Sequence, residues 1–320
     1  MKDTSTKKGL FIFTIIITLS IIIGTYNLLF SNKNIKIEDY NETKFSKISQ
    51  LKNSNKHYIG IIHITGVISE SSNTYNQKWI LNVINSLKTD SKNYGILLYI
   101  NSPGGGVYQA DEVYLALEDY KKTGKKVFSY FGPLAASGGY YIACASDKIF
   151  ANRNTLTGSI GVISGNSFDI TELLKKIGIK STTITAGKNK NMFNFNSPVT
   201  EEQSNIMQEI ANECYNQFVN IVAKGRNLKI EDVLILADGR IYTANQALNN
   251  KLIDEICSWE EAKVKIITSE ENKKIIYKEY KYKEKDSLIS LINGVSTLIT
   301  SPQDIFAKDV SMPLYLYSTK

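Results

Sequence analysis

A chain of 320 residues that is 42% hydrophobic and 22% charged can bury a core as one large domain or two small ones. The net charge of +7 comes from lysines scattered among acidic residues, so solvated lysines near an anionic membrane explain it better than nucleic-acid binding does. The three cysteines are widely spaced without a C-x-x-C pair, and no zinc site or disulfide framework is predicted.

The first predicted element is a membrane-spanning helix. Residues 10–30 are almost wholly apolar and about as long as a bilayer core requires. Positive charge precedes this run, so the N-terminus is expected in the cytoplasm and the remainder of the chain outside. A cleaved signal peptide is the alternative, but residues 26–30 offer no small-x-small cleavage site. We therefore predict an uncleaved anchor in residues 1–31 and a polar stalk in residues 32–56.

Strand and helix patterns alternate beyond the stalk. Apolar runs at residues 58–64, 94–100 and 148–151 predict buried strands, and apolar residues at helical spacing predict helices at 79–87 and 107–122. This alternation predicts an α/β fold of parallel βα units. In such a fold the loops at the carboxyl ends of the strands are available for chemistry.

A strand-to-helix turn at Ser137 is the main candidate for chemistry. The apolar run Val127–Tyr130 predicts a strand that Gly132 and Pro133 break, and helical spacing resumes from Ser137 to Ala145. The Ser137 hydroxyl is therefore expected to be exposed at a helix start, where free N–H groups suit a developing oxyanion. The alternative is that Ser137 only caps the helix.

A glycine-rich loop directly follows the strand predicted at residues 94–100. Its sequence, Asn-Ser-Pro-Gly-Gly-Gly at residues 101–106, would let the chain expose a backbone N–H to a substrate carbonyl. It is not a phosphate-binding P-loop, because no G-K-[ST] follows. An ordinary βα turn is the alternative, although three successive glycines weaken the helix start that such a turn requires.

Residues 169–203 contain two capping motifs and a run of β-branched residues. Asp169 and Glu172 predict the start of a short helix, and Thr182–Thr185 predicts a strand. Thr200 and Gln203 have the spacing of a capping box and predict the start of a long helix.

The pattern weakens beyond residue 260. Residues 275–282 alternate as an edge strand would, and residues 312–317 form an apolar tail.

A serine nucleophile needs a base. The chain has only two histidines, His57 at the stalk boundary and His63 within the first strand, and neither is placed for a Ser-His-Asp triad. A lysine could serve if its pKa fell from about 10.4 to about 7.5, which costs roughly 4 kcal/mol and requires desolvation. The candidates are Lys188 and Lys190, and their spacing alone does not choose between them.

Four motifs together resemble the signal peptide peptidase A family. They are Ser-Pro-Gly-Gly-Gly-Val at 102–107, Ala-Ala-Ser-Gly-Gly-Tyr-Tyr-Ile at 135–142, Thr-Leu-Thr-Gly-Ser-Ile-Gly-Val-Ile at 155–163 and Asp-Gly-Arg-Ile-Tyr at 238–242. The resemblance implies a Clp protease/crotonase-like fold of repeated ββα units, preceded by one N-terminal transmembrane helix. It also implies a peptidase domain at residues 57–260 and a C-terminal extension at 261–320, in the single-repeat form typical of Gram-positive bacteria.

The resemblance implies roles for five residues. Ser137 resembles the family's nucleophile, and Lys190 resembles its general base because it matches the family's G-x-x-K pattern. Ser159 resembles the serine that orients the lysine. The backbone N–H groups of Gly105 and Gly138 resemble the two oxyanion donors.

The function implied by the resemblance is that of a membrane-anchored, extracytoplasmic serine endopeptidase. Its substrates would be remnant signal peptides and other unfolded or membrane-associated peptides, and no metal, cofactor or nucleic acid is implied. The family assembles into a dome-like homo-oligomer, an octamer in the Gram-positive form, with Ser and Lys contributed by neighbouring protomers.

Two other functions remain open at this point. An acyl-CoA enzyme of the crotonase fold would share the oxyanion glycines, but it would need placed carboxylates and would have no reason for an anchor or a Ser–Lys pair. A non-catalytic membrane scaffold would keep the fold without needing Lys190.

Overall fold

The structure is a computed structural model that describes residues 57–165, 168–268, 275–283 and 314–316. The predicted anchor and stalk, residues 1–56, lie outside the described residues. Among the described residues, no helix has the length and hydropathy needed to cross a membrane.

The described strands and helices alternate along most of the chain. The strands are β1 (Tyr58–Thr65), β2 (Asn93–Ser102), β3 (Gly104–Gly106), β4 (Lys126–Ala136), β5 (Lys148–Ala151), β6 (Leu156–Gly158), β7 (Ile241–Thr243), β8 (Glu255–Ile256), β9 (Ile276–Tyr280) and β10 (Leu314–Leu316). The helices are α1 (Gln77–Thr89), α2 (Val107–Lys121), α3 (Gly138–Ala143), α4 (Thr171–Lys176), α5 (Glu201–Arg226), α6 (Ile230–Leu236), α7 (Ala244–Asn249) and α8 (Trp259–Thr268).

A mainly parallel sheet forms the centre of the fold. Its strand order is β7-β6-β4-β2-β1-β9, and β5 pairs with both β4 and β8 beside this path. Every pair in this sheet is parallel except β6 with β7. The predicted α/β class is therefore confirmed.

The central strands are buried on both faces, which explains their continuous apolar runs. Leu98 and Ile100 of β2 belong to a large core cluster that also contains apolar residues of α1, α2, α3 and α5. Leu97, which points to the opposite face, packs in a second cluster with Ala262 and Ile266 of α8. The sheet thus lies between two helical layers.

The predicted break of β4 at Gly132 and Pro133 is wrong, because the strand continues to Ala136. The strand changes partner at this point, pairing with β5 as far as Phe131 and with β6 from Leu134 onward. Proline lacks the N–H that a continuous ladder needs, and the exposed position between two partners does not require it. Proline therefore marks a change of partner here.

The predicted strand at Thr182–Thr185 is also wrong. These residues have no regular secondary structure and are exposed, with Ile184 95% exposed. β-branched residues favour strands only where a neighbouring strand and a packed face are available. Neither is present for this segment in the described part of the chain.

The two predicted helix starts have different outcomes. Thr200 and Gln203 form a complete capping box at the start of α5, which confirms that prediction. The short helix predicted from Asp169 and Glu172 is present as α4, but its capping box is not: the helix begins after Ile170, and Asp169 accepts a hydrogen bond from the Thr171 N–H at 2.9 Å.

Parts of the chain beyond residue 260 join the same fold. Helix α8 runs across this position, and β9 pairs with β1 at the edge of the sheet, which confirms the predicted edge strand. Strand β10 pairs with β3, although the two strands are about 200 residues apart in the sequence; Tyr315 lies opposite Gly105.

Candidate active site

Ser137 occupies a tight turn between β4 and α3. Its backbone has φ of 53° and ψ of −119°, a combination that non-glycine residues rarely adopt. The turn is held on both sides, because the Ser137 N–H donates to the Gly158 carbonyl at 2.8 Å and its carbonyl accepts from the Tyr141 N–H at 2.8 Å. The fold therefore fixes Ser137 in a strained conformation, as is common for residues at functional sites.

The Ser137 side chain is buried and unpartnered. The residue is 1% exposed, and its Oγ has no hydrogen-bond partner among the described residues. The expected exposure of this hydroxyl is therefore wrong, since β6 pairs along the end of β4 and shields the turn. The capping alternative is also wrong, because Ser137 makes no side-chain cap hydrogen bond to α3. A buried hydroxyl without a partner is costly and typical of a functional group.

Ser159 lies beside this turn. Ala136 of β4 is paired with Gly158 of β6, so the next residue of each strand, Ser137 and Ser159, are neighbours. Ser159 is 7% exposed, and its N–H donates to the Arg240 carbonyl at 2.8 Å. The structure therefore brings together three of the four sequence motifs.

The first motif supplies strand β3, whose two edges have different neighbours. Ile68 takes one edge of β3, because its N–H donates to the Gly104 carbonyl and its carbonyl accepts from the Gly106 N–H, both at 2.8 Å. Alternate residues of a strand direct their polar groups to opposite edges, so the N–H and C=O of Gly105 face away from Ile68. A Cβ atom on Gly105 would lie 1.9 Å from the Ile68 carbonyl oxygen, and only glycine fits.

The edge that Gly105 faces holds an extended segment of the chain itself. Strand β10 pairs antiparallel with β3, with Leu314 opposite Gly106, Tyr315 opposite Gly105 and Leu316 opposite Gly104. The sequence predicted only an apolar tail here, and the alternating Leu-Tyr-Leu-Tyr pattern was the one signal of a strand. This edge of β3 can therefore accept a peptide in extended conformation.

The first turn of α3 packs against the start of this glycine-rich strand. Gly138 is buried, and a Cβ on Gly139 would lie 3.3 Å from the Ser102 carbonyl oxygen. Ser102 in turn accepts a hydrogen bond from the Gly104 N–H. The structure therefore gathers Ser137, Gly138, Ser159 and the Gly105 strand at the carboxyl ends of β2, β4 and β6.

Lys190 makes no hydrogen bond to the serine of this corner. It is exposed, and its N–H closes a turn onto the Gly187 carbonyl at 3.2 Å. Because the Ser137 hydroxyl has no partner among the described residues, Lys190 does not hydrogen-bond to it. Lys188 is exposed as well and forms an ion pair with Glu202.

The segment that contains Lys190, residues 168–200, carries several exposed apolar side chains. Helix α4 has no buried residue. The large hydrophobic residues of the segment that are exposed are Phe168, Leu173, Ile177, Ile179 and Ile184. Such a concentration of exposed apolar side chains commonly marks a surface that another molecule covers.

Neither His63 nor the Cys144 thiol is placed to act with Ser137. His63 pairs with Glu279 at 2.7 Å and packs against the Tyr99 ring. It makes no hydrogen bond to the Ser137 hydroxyl and does not serve as its base in this structure. Burial raises the pKa of the Cys144 thiol to about 12, so it stays protonated and is not a nucleophile. In the described ranges no group of three or more His, Cys, Asp or Glu residues could hold a metal ion.

Comparison with known proteins assigns the family. Over 216 residues the chain is 39% identical to a putative signal peptide peptidase of Enterococcus faecium, a match covering 65% of this chain and 62% of that protein. It is 39% identical over 215 residues to a putative protease of Synechocystis, covering 66% of this chain and 74% of that protein. It is 35% identical over 219 residues to a putative protease of Methanocaldococcus jannaschii, covering 67% of this chain and 68% of that protein.

The chain thus spans less than two thirds of the Enterococcus protein, and somewhat more of the other two. Residues 119–294, more than half of the chain, match the model of peptidase family S49. This match includes Ser137, Ser159 and Lys190 and agrees with the resemblance found in the sequence motifs. The chain belongs to peptidase family S49.

Proposed function

We propose that this protein is a serine endopeptidase that cleaves signal-peptide remnants and other unfolded or membrane-associated peptides. The observation that carries the proposal is the buried, unpartnered Ser137 hydroxyl at a strained turn, in the same corner as the strand edge that Gly105 faces. The similarity to the Enterococcus protein, a putative signal peptide peptidase, supports the substrate class.

The substrate peptide lies extended along β3, in the place that β10 takes in this structure. Backbone pairing binds a peptide with little regard to its side chains, which suits an enzyme that acts on many unfolded chains. Pairing opposite Gly105 also brings the peptide backbone to the N–H that faces this edge.

The reaction begins when the Ser137 Oγ attacks the carbonyl carbon of the scissile peptide bond. Its proton passes to the neutral amine of Lys190, and the carbonyl oxygen becomes an oxyanion on the N–H groups of Gly105 and Gly138. One such donor is worth about 3–4 kcal/mol in comparable enzymes. Lys190 then gives its proton to the leaving amine, which breaks the C–N bond and leaves an ester on Ser137. Water, deprotonated by Lys190, hydrolyses the ester.

The base in this mechanism comes from a neighbouring copy of the chain. Lys190 is exposed and makes no hydrogen bond to Ser137, and the apolar side chains around it are unburied in the described chain. A second copy that covers this segment would place its own serine corner over Lys190 and remove water from the amine. Ser159 orients the lysine there. We take the assembly to be the octamer that the family resemblance implies.

The wider architecture of the proposal follows the sequence. Residues 1–31 anchor the chain in the membrane, residues 32–56 form the stalk, and the catalytic domain is extracytoplasmic with a Clp protease/crotonase-like arrangement of ββα units. The mainly parallel sheet between two helical layers supports this fold.

A fluorophosphonate probe tests the proposal on the full-length protein in detergent. We expect covalent labelling at Ser137 and hydrolysis of an unfolded peptide, with both lost in Ser137→Ala. An acyl-CoA enzyme or a non-catalytic scaffold would not be labelled at Ser137. Full-length protein that is assembled, unlabelled at Ser137 and inactive on unfolded peptides would contradict the proposal.

A further inference from the structure

Ser102 joins three pieces of backbone around the glycine-rich strand. It is the last residue of β2 and is 0% exposed. Its Oγ donates a hydrogen bond to the Gly66 carbonyl at 2.6 Å and accepts one from the Gly104 N–H at 3.1 Å. Both capacities of this hydroxyl are therefore used to hold β3 against the loop that follows β1.

The loop held by Ser102 is the one that orients Gly105. Gly66 is two residues before Ile68, and Ile68 takes the carbonyl of Gly104 and the N–H of Gly106. These two bonds oblige the N–H of Gly105 to face the opposite edge, where the peptide would lie. The Ser102 hydroxyl thus ties together the loop that carries Ile68 and the strand that carries Gly105.

The same residue touches the helix that carries the second proposed donor. A Cβ atom on Gly139 would lie 3.3 Å from the Ser102 carbonyl oxygen and 3.4 Å from the Ser102 Cβ. Ser102 is also paired with Ala135 of β4, two residues before Ser137. Ser102 therefore contacts both the strand that carries Gly105 and the first turn of the helix that carries Gly138.

We infer that Ser102 is a positioning residue, whose hydroxyl sets the place of the Gly105 N–H relative to Ser137 and Gly138. The inference rests on the proposed function and deepens it. Ser102 touches no substrate atom. Its effect is exerted on the developing oxyanion, since a donor that shifts by a fraction of an ångström loses much of its value in the transition state.

A buried serine can also be merely structural, and the chain offers a matched control. Ser129 is 0% exposed on the neighbouring strand β4, and its Oγ shares a hydrogen bond of 2.7 Å with the Oγ of Ser146. Ser129→Ala removes a buried hydroxyl of the same kind without touching β3. It therefore reports the cost of losing a buried hydroxyl alone.

The experiment compares full-length wild type, Ser102→Ala, Ser102→Thr and Ser129→Ala. Three quantities are measured: the melting temperature, kcat and KM for an unfolded peptide, and the affinity for a peptide boronic acid. The boron of this probe accepts an electron pair from the Ser137 oxygen and becomes tetrahedral, which places one of its hydroxyls where the oxyanion forms. Its affinity therefore depends on the donors, whereas KM reports mainly on the binding of the peptide.

For Ser102→Ala we expect kcat and boronate affinity to fall together by about ten- to a hundredfold, with KM within about threefold of wild type. Ser102→Thr, which keeps the hydroxyl, should recover most of the loss. Ser129→Ala should lower the melting temperature and leave kcat and boronate affinity within about twofold of wild type.

Two results would overturn the inference. In the first, Ser102→Ala is destabilised like Ser129→Ala but keeps kcat and boronate affinity. In the second, the two variants lose activity equally. If wild type itself neither cleaves peptides nor binds the boronate, the proposed function fails as well, so the two failures are distinguishable.

A substitution at an exposed residue of the same loop tests the inference if Ser102→Ala does not fold. The hydroxyl of Thr74, an exposed residue, donates to the Thr65 carbonyl at 2.8 Å, next to Gly66 in the same loop. Thr74→Val removes this bond without disturbing the core. A smaller loss of kcat and boronate affinity at unchanged melting temperature supports the inference, and unchanged values of both contradict it.

Discussion

The corner that carries Ser137 and the segment that carries Lys190 differ in how firmly the chain holds them. Ser137 and Ser159 are buried, and their backbone N–H groups are bonded to neighbouring strands and loops. Around Lys190, α4 buries no residue and Ile184 is 95% exposed. A single chain thus determines the position of the proposed nucleophile and of the Gly105 strand, whereas in the proposed mechanism the base acts only when a second chain covers it.

The difference has a physical basis in what each region buries. The serine corner is built on strands with apolar residues on both faces, so its geometry opens only when the core does. A segment with few buried apolar contacts can open locally at little cost in free energy. A nucleophile and its oxyanion donors need fixed geometry, while a base supplied by assembly can become active only in the assembled state.

The largest expected effect separates the two lysines. Ser137→Ala and Lys190→Ala should each lower peptide cleavage by about a thousandfold or more, because each removes a group that acts on the reacting atoms. Lys188→Ala should keep most of the activity, since Lys188 is exposed and paired with Glu202. Steady-state cleavage of an unfolded peptide measures this. Loss of activity in Lys188→Ala with Lys190→Ala still active would reverse the assignment of the base.

A pair of truncations tests whether the two regions differ in stability. Leu98 is fully buried, and Leu98→Ala should lower the free energy of unfolding by about 2–5 kcal/mol. Ile184→Ala should change it by less than about 0.5 kcal/mol while weakening oligomerisation. Chemical denaturation and analytical ultracentrifugation provide the two readings. A large loss of unfolding free energy in dissociated Ile184→Ala would show that the segment is packed within one chain.

Removing the strand that covers the peptide edge should increase activity. A chain ending at residue 311 lacks β10, which pairs with β3 at the proposed substrate position. We expect a lower KM and a several-fold higher rate at low substrate concentration, with little change in kcat. Tyr315→Pro is the full-length control, because proline cannot donate to the ladder. Unchanged KM in both variants would mean that β10 does not compete with substrate.

Acid titration of two carboxylates compares the packed sheet, on which the serine corner is built, with the segment that carries Lys190. Burial acts to raise the pKa of Asp90, but the hydrogen bond donated by Tyr58 and that from the Lys92 N–H outweigh it, so the pKa is lowered. Hydrogen bonds from the Thr171 hydroxyl and N–H lower the pKa of Asp169. A lowered folded-state pKa stabilises the protein above the unfolded value of 3.8, and this stabilisation is lost as pH falls through the folded-state value.

We expect Asp90→Asn to lower stability at neutral pH, with a difference from wild type that shrinks below about pH 4. Asp169→Asn should leave the acid dependence of global unfolding unchanged, because α4 buries no residue and we expect its segment to open locally before the core unfolds. Urea midpoints measured from pH 3 to 7 provide the test. If the two variants changed the pH dependence of the urea midpoint equally, the Asp169 segment would unfold together with the core, which would contradict the account.

The sequence predicted the elements whose signal is local. Apolar runs located β1, β2 and the start of β4, and the spacing of Thr200 and Gln203 located the start of α5. The motif around Ser137 also led to the buried turn. These features depend on residues close together in the chain, so periodicity and capping chemistry suffice to find them.

The features that were missed depend on distant partners. β4 continues through Pro133 because β6 replaces β5 as its neighbour there, and Thr182–Thr185 forms no strand because no neighbour is available to it. The burial of Ser137 likewise results from the pairing of β6, and the tail becomes a strand only by pairing with Gly105. The role proposed for Lys190 depends on a surface of a second chain, and no local pattern in the sequence encodes such a surface.

The most direct test mixes two inactive full-length proteins, Ser137→Ala and Lys190→Ala, in detergent under conditions in which subunits exchange. If each site is built from two chains, mixed oligomers contain some intact Ser–Lys pairs, and we expect part of the peptidase activity to return as exchange proceeds. Exchange is followed independently by energy transfer between labelled copies. Full exchange with no return of activity would contradict a site shared between chains and place Lys190 with the serine of its own chain.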